Sequence, residues 1–94
     1  MIARLETTTL YRVRLWIGKG LRDAGIDLSV RYDFMYDSNE RLIGMMPADN
    51  GYFVRGLPRS PYITITAFAK HFNLTNNENI LRFSRDGNIW ILHL

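Results

Sequence analysis

Two arginines give this chain its clearest potential chemistry, because they alternate with apolar residues in the stretch from Thr7 to Trp16. An extended strand places every second side chain on the same face. One parity carries Leu10, Arg12, Arg14 and Trp16, and the other carries Tyr11, Val13, Leu15 and Ile17. One face would therefore be apolar and the other would present Arg12 and Arg14. A guanidinium group grips a phosphate or reads guanine through paired hydrogen bonds, so the pattern predicts contact with nucleic acid.

Further basic residues fall in two windows that contain few acids. Residues 1–22 hold five basic residues against the single acid Glu6, and residues 50–77 hold no acid. The other acids collect outside these windows, so one face of the fold is expected to be basic. The predicted nucleic-acid contacts are Arg12, Arg14, Lys19, Arg22, Arg59 and Lys70. The alternative for each of them is a solvated surface cation.

Three aromatic residues are predicted to be exposed. Trp16 shares its parity with the two strand arginines, and Tyr52 and Phe53 lie in a stretch rich in proline and glycine. Exposed aromatic rings stack on the bases of single-stranded nucleic acid. Alternatively, they contact a protein partner. For that alternative the predicted contact residues are Trp16, Tyr52, Phe53 and Arg55.

Other kinds of site lack the residues that they need. The chain has no cysteine, which removes disulfides, thiolate ligands and thiol nucleophiles. His71 and His93 are the only histidines, and no third ligand or nucleophile pattern accompanies them. Gly18-Lys19-Gly20 lacks the remainder of a phosphate-binding loop. We therefore expect no catalytic site, no metal and no cofactor, and an enzyme is the least favoured class.

The elements that must position these residues are predicted to occur twice. Leu15–Ile17, a short helical stretch and Ala24–Ile26 recur 48 residues later as Ile63–Ile65, a similar stretch and Phe72–Leu74. Each copy continues as a strand, a hairpin turn and a second strand. The predicted strands are Thr7–Trp16, Ser29–Tyr36, Arg41–Met46, Tyr62–Thr66, Asn79–Ser84 and Ile89–His93, with a further short strand at Tyr52–Val54.

Two short helices are predicted between the strands, at Gly18–Ala24 and Ala67–Phe72. Gly25 and Asn73 would end them, because both residues tolerate the left-handed backbone that helix ends favour. Thr66 would cap the start of the second helix through its hydroxyl group.

The length indicates one small domain with a single core, residues 1–94. Repeat one would span about residues 11–46, the connection residues 47–61, and repeat two residues 62–94. No apolar run approaches the roughly 20 residues that span a bilayer, and the first six residues carry no signal-peptide pattern. We therefore expect a cytoplasmic protein with no membrane partner. The last strand is apolar on both parities, which predicts cover on both faces by a homodimer or a closely wrapped pseudo-dimer.

The stretch from Tyr62 to Leu92 resembles the swapped-hairpin barrel of the AbrB, MazE and SpoVT superfamily. It has an alternating strand, a helix of one to two turns, a polar turn, an Asp-Gly hairpin and an apolar last strand. Residues 12–46 look like a more divergent version, and Leu21–Ile26 is similar to the SymE toxin branch. The resemblance implies a mainly β fold with two short helices, built as a barrel of two interleaved copies. It also implies a tandem arrangement like that of MraZ, with DNA bound by basic residues around the first strand and short helix of each copy.

Three functions from different classes remain open. The first is a small regulator that binds duplex DNA, either antitoxin-like or a transcription factor of the phage or plasmid type. The second is a protein-binding module that inhibits or modifies a host protein, and the third is a SymE-like toxin that targets nucleic acid. The net charge of only +3 argues against strong non-specific DNA binding. The protein-binding alternative therefore stays close to the first.

Overall fold

The computed structural model describes the backbone of residues 2–9, 12–74 and 79–94, and the side chains of residues 13–74 and 80–94. Within these ranges the chain is mainly β with two short helices, as predicted. The strands are β1 Ile2–Thr9, β2 Arg12–Trp16, β3 Tyr32–Asp37, β4 Leu42–Pro47, β5 Tyr62–Thr64, β6 Asn79–Asp86 and β7 Ile89–His93. The helices are α1 Lys19–Asp23 and α2 Thr66–His71. No helix in this part of the chain is long and apolar enough to cross a membrane.

Neighbouring strands all pair antiparallel, in the spatial order β3-β4-β7-β6-β1-β2-β5. Between the end strands β3 and β5 lies the chain segment that connects β4 to β5. Its residue Tyr52 forms a backbone bridge with Tyr32 of β3, and its residue Arg55 forms one with Tyr62 of β5. These isolated bridges are not a continuous ladder, so the described residues form no closed barrel. The predicted short strand at Tyr52–Val54 is likewise reduced to one bridge, at Tyr52.

One hydrophobic core lies under this sheet, because six strands alternate buried and exposed side chains and turn the buried ones toward a common centre. The two helices contribute buried residues to the same cluster. Its members are Val13, Leu15, Ile17, Leu21, Ile26, Tyr32, Phe34, Ile43, Met45, Ile63, Ile65, Phe68, Ala69, Leu81, Trp90 and Leu92. The buried set has no charged member among the described side chains. Packing of apolar side chains therefore supplies the stability of the fold.

The first strand was not predicted. β1 lies inside the sheet, paired with both β2 and β6. The expectation of one strand from Thr7 to Trp16 is wrong, because β1 ends at Thr9 and β2 runs back antiparallel from Arg12. Threonine favours strands, so the three consecutive threonines that end β1 do not indicate that the chain reverses after them. The predicted positions Leu10 and Tyr11 lie outside the described residues.

The two helices end in the same way, at positions 48 residues apart. Gly25 after α1 has φ +93° and Asn73 after α2 has φ +53°. In each case the N–H of this residue donates to the carbonyl three residues earlier, and the next N–H donates to the carbonyl five residues earlier. These bonds satisfy the last carbonyls of the helix. The predicted roles of Gly25 and Asn73 are confirmed.

The predicted cap of the second helix is wrong. α2 begins at Thr66, and the residue before it, Ile65, makes no side-chain capping bond. The Thr66 hydroxyl instead accepts a hydrogen bond from the backbone N–H of Val13, at 3.0 Å. The β2–β5 ladder ends at Thr64, so the hydroxyl supplies an acceptor just beyond the end of the ladder. A residue expected to serve its own helix therefore joins that helix to β2.

β2 and β5 pair symmetrically about Leu15 and Ile63, two residues that are 48 positions apart. Arg14 lies opposite Thr64, and Trp16 lies opposite Tyr62. The bonds that flank the ladder match as well, since the N–H of Ile17 donates to Pro61 at 2.9 Å and that of Ile65 donates to Val13 at 2.8 Å. Each half of the chain thus contributes equivalent bonds to this strand pair.

Both predicted hairpins form. In the β3–β4 turn, Asp37 Oδ1 accepts the N–H groups of Asn39 and Glu40 at 3.0 and 3.1 Å. The β6–β7 turn uses Gly87 at φ +62°. β3 begins at Tyr32 rather than Ser29, because the Asp27 carboxylate accepts both the N–H and the hydroxyl of Ser29 and bends the chain there.

The connection between β4 and β5 is held against β3 at one point. Gly51 is required there, because a Cβ would collide with the backbone of Tyr32. Together with the bridge from Arg55 to β5, the bridge from Tyr52 to β3 fixes both ends of this part of the connection.

The side chain of Tyr32 is also held in place. Its buried hydroxyl donates to the Asp27 carbonyl at 2.5 Å, and burial, helped by the Asp27 charge, raises the pKa of Tyr32.

Candidate nucleic-acid interface

The outward residues of β2 and β5 form one continuous surface with the connection. Arg14 and Trp16 face away from the core on β2, while Val13 and Leu15 are buried beneath them. Tyr62 and Thr64 do the same on β5, and Arg55 joins the row because its backbone exchanges both hydrogen bonds with Tyr62. We call this surface the basic–aromatic face, defined by Arg14, Trp16, Arg55, Tyr62 and Thr64.

Arg14 is held in place by the two rings beside it. Its guanidinium carbon lies 4.4 Å from the Tyr62 ring centroid and 6.0 Å from the Trp16 centroid. The rings are themselves packed together, with centroids 5.0 Å apart at an angle of 49°. Cations within about 6 Å of an aromatic face are attracted by its quadrupole. The Arg14 side chain is therefore oriented before any ligand arrives.

Two hydrogen-bond donors of these stacked side chains are shielded from solvent. Arg14 Nε and Trp16 Nε1 are buried and have no hydrogen-bond partner among the described residues. A ligand cannot reach the covered Nε directly. An acceptor therefore binds Arg14 through the two terminal nitrogens of the guanidinium group, which carry its other N–H donors.

A polar cleft of about 320 Å³ lies beside the stack. It is lined by Arg14, Arg55, Tyr62 and Thr64, which together supply two guanidinium groups and two hydroxyls. None of these lining residues is an acid. β2 lies between β5 and β1 in the sheet, and on the β1 side the backbone register pairs Arg14 with Glu6. The cleft itself suits an anion with several acceptor oxygens, such as a phosphodiester.

The other predicted nucleic-acid contacts lie elsewhere. Lys19 is paired with Asp23 in α1 at 2.6 Å, so its charge is partly matched. Arg22 and Lys70 are exposed on the helices and Arg59 is exposed in the connection, but none of them lines the cleft. Arg12 begins β2, and its side chain lies outside the described set. Of the six predicted residues, the structure places Arg14 in the cleft.

The residues predicted to contact a partner divide between this surface and the core. Trp16 and Arg55 belong to the basic–aromatic face, but Trp16 is half-buried and not exposed as predicted, because its ring packs against Tyr62. Phe53 is 52% exposed, as expected. Tyr52 is not an exposed ring: it is half-buried and packs against Phe34 with centroids 5.6 Å apart. Its parity along the connection turns it inward, and the backbone bridge to Tyr32 holds it there.

Sequence patterns alone do not identify Tyr62 and Thr64. They lie opposite Trp16 and Arg14 of β2, so the register of β2 on β5 is the signal that identifies them. The same is true of Arg31, which sequence patterns do not identify either; its guanidinium carbon lies 3.8 Å from the Phe53 ring centroid. Arg31 is far from Phe53 in sequence, and only the path of the connection brings them together.

The described residues hold no cluster of His, Asp or Glu side chains that could bind a metal ion. His93 Nε2 is 3.0 Å from the Ser84 hydroxyl, and the His71 ring packs edge-on against Phe72. Comparison with protein-family models, curated proteins and solved structures found no match to this chain. The interpretation of the basic–aromatic face therefore depends on its own chemistry, which is that of one guanidinium group stacked on aromatic rings, Arg14, and one exposed guanidinium group, Arg55.

Proposed function

We propose that this chain is a small DNA-binding regulator, antitoxin-like or of the phage or plasmid type, which contacts DNA through the basic–aromatic face. The observation that carries the proposal is the Arg14 guanidinium stacked over Tyr62, beside Arg55, in a cleft whose described lining residues include no acid. A stacked arginine loses little conformational freedom when it binds, so more of its interaction energy contributes to affinity. Phosphate contacts of this kind supply most non-specific DNA affinity.

The proposal includes a swapped-hairpin arrangement of two interleaved copies. It is supported by the symmetric β2–β5 pairing and by the matching ends of α1 and α2. It is also supported by the position of the connection. The connection lies between β5 and β3 and bridges to both, in the same way that β1 lies between β2 and β6 and pairs with both. In this arrangement the basic–aromatic face lies where the first strands of the two copies meet. Both halves of the chain then contribute to one binding surface.

The proposal makes a quantitative expectation for salt dependence. Each phosphate contact contributes about −0.9 to the slope of log affinity against log salt concentration. Contacts from Arg14 and Arg55 therefore give a slope of about −2. Binding is then modest and is easily lost at high salt, in line with a net charge of only +3.

A fluorescence titration with random duplex DNA at about 50 and 200 mM salt tests the proposal. We expect Arg14→Ala and Arg55→Ala each to weaken binding and to reduce the salt slope by about 0.9. Arg41→Asn is the matched control: Arg41 is an exposed arginine in the β3–β4 turn at φ +55°, a backbone conformation that asparagine accepts. It should change neither quantity. Absence of binding by the wild type at low salt, or an equal loss in the control, contradicts the proposal.

Protein binding is the second candidate, and one observation favours it. The outer side of β4 and β7, together with Met35 of β3, carries an apolar surface that is bordered by the exposed acids of β3. We call it the apolar face, and it is defined by Met35, Leu42, Gly44, Met46, Ile89 and Ile91. Met35 is 44% exposed. Exposed apolar surface of this kind is typical of protein contacts. If the wild type binds no DNA at low salt, this candidate takes the place of the first.

A further inference from the structure

A second arginine–aromatic stack lies beyond the basic–aromatic face, between Phe53 of the connection and Arg31, the residue before β3. The Arg31 guanidinium carbon is 3.8 Å from the centroid of Phe53, closer than Arg14 is to Tyr62 at 4.4 Å. Arg31 and Phe53 are both exposed. From this stack and the cleft beside it we infer a second site, which binds an unpaired nucleobase. The inference rests on the proposed DNA binding and adds a ligand class to it.

Phe53 is separate from the core. Its neighbours Tyr52 and Val54 pack against the core cluster, whereas Phe53 and Arg55 are turned outward by the alternation of the connection. Among the described side chains, the ring contact found for Phe53 is the one with Arg31. Phe53 thus lies outside the core cluster, and a substitution there is expected to leave the fold intact.

The cleft beside Arg31 has the polarity of a base site. It measures about 360 Å³ and is lined by Ser29, Val30, Arg31, Pro47, Ala48 and Asp49. Arg31 offers hydrogen-bond donors and Asp49 offers an acceptor, and the salt bridges found among the described residues do not join the two. A carboxylate repels a phosphate but accepts from the N–H groups of a base. An unpaired base presents both donors and acceptors on its free edge, and it stacks on aromatic rings and guanidinium planes.

The second site is continuous with the first. Phe53 and Arg55 are two residues apart on one side of the connection, so their Cα atoms are separated by about 6.6 Å along an extended backbone. A DNA strand whose phosphate is held at Arg55 thus has a neighbouring base within reach of Phe53. Paired bases are stacked inside a duplex and are not available to the ring. The site therefore selects DNA that carries unpaired nucleotides.

The test compares three DNA ligands under identical salt conditions. They are a blunt duplex, the same duplex with a short thymidine overhang, and the same duplex with an abasic overhang that keeps the phosphates. Stacking contributes about 1–3 kcal/mol per base, so we expect the wild type to bind the thymidine overhang at least about fivefold more tightly than the blunt duplex. The abasic overhang should give no such gain.

Variants assign the gain to Phe53. Phe53→Ala should abolish the preference for the thymidine overhang and leave affinity for the blunt duplex unchanged. Leu57→Ala is the matched control, because Leu57 lies on the same connection and is 51% exposed, close to the 52% of Phe53. Arg31→Lys keeps the charge but removes the planar group, and should weaken the preference.

The outcomes separate the two proposals. A preference that survives Phe53→Ala, or an equal gain from the abasic overhang, overturns the base site. If blunt duplex binds in an Arg14-dependent way and the overhang adds nothing, the base site is wrong and the proposed function stands. If the wild type binds none of the three ligands, both are wrong.

Discussion

The outer surfaces of two strand pairs differ, although each pair joins one strand from each half of the chain. The β2–β5 pair presents arginine, aromatic rings and a threonine, whereas the β4–β7 pair presents leucine, isoleucine, methionine and glycine, with His93 at one end. Beneath both pairs, the inward side chains are equally apolar and buried. The requirement for a core therefore fixes the inward residues alike and leaves the outward residues free to differ. Function is best sought in that difference.

The apolar face is partly covered by its own residues. A Cβ at Gly44 would lie 3.2 Å from Met35 Cε and 3.8 Å from Ile89 Cγ2, so the absence of a side chain lets Met35 lie across the strand. Ile89 and Ile91 are half-buried, while Trp90 and Leu92 on the other side of β7 are buried. The sequence of β7, apolar on both parities, predicts cover on both faces. Within the chain the second face has partial cover only.

The largest effect is expected from a substitution beneath the basic–aromatic face, compared with one on the apolar face. Leu15 is fully buried at the centre of the β2–β5 pair. Leu15→Ala should lower the free energy of unfolding by about 2–5 kcal/mol, because it leaves a cavity. Ile91→Ala, at a half-buried outer position of β7, should cost clearly less. Urea denaturation measures both. Equal losses would mean that the apolar face is covered as completely as the core.

A smaller effect is expected from the link between β2 and α2. Thr66→Val removes the acceptor for the Val13 N–H, and an unsatisfied backbone donor costs about 1–3 kcal/mol. Thr66→Ser keeps the hydroxyl and is the matched control. Urea denaturation should show the valine variant to be the less stable of the two, and hydrogen exchange should show faster exchange at the Val13 amide. Since Val13 precedes Arg14, this substitution loosens the basic–aromatic face and not the apolar face. Equal exchange rates in the two variants would contradict the role of the hydroxyl.

Local patterns in the sequence predicted the parts of both faces that depend on neighbouring residues. Alternation placed Arg14 and Trp16 outward on β2, and Gly25 and Asn73 marked the helix ends. Contacts between distant segments were not predictable in this way. Strand register decides which side chains meet, and a single sequence does not reveal it.

The connection shows the same limit. Phe53 was recognised as exposed, but its stacking on Arg31 depends on the route that the chain takes between β3 and β5. Tyr52 was misassigned for that reason, since the bridge to Tyr32 turns it inward. The threonines that end β1 illustrate the converse case. They favour a strand without marking where it ends, so the sequence pattern does not separate β1 from β2.

The smallest effect is expected on the apolar face itself. Met35→Lys replaces a partly exposed side chain with one whose aliphatic stem can still cover Gly44 while its charge stays in water. If the face is free, stability should change by no more than about 0.5 kcal/mol and DNA affinity should be unaffected. Light scattering should then give 11.0 kDa for the wild type and the same for the variant. A wild type of twice that mass that Met35→Lys converts to monomer would instead show that a second copy covers this face, as the predicted homodimer requires. The basic–aromatic face would then be the only one of the two left open to DNA.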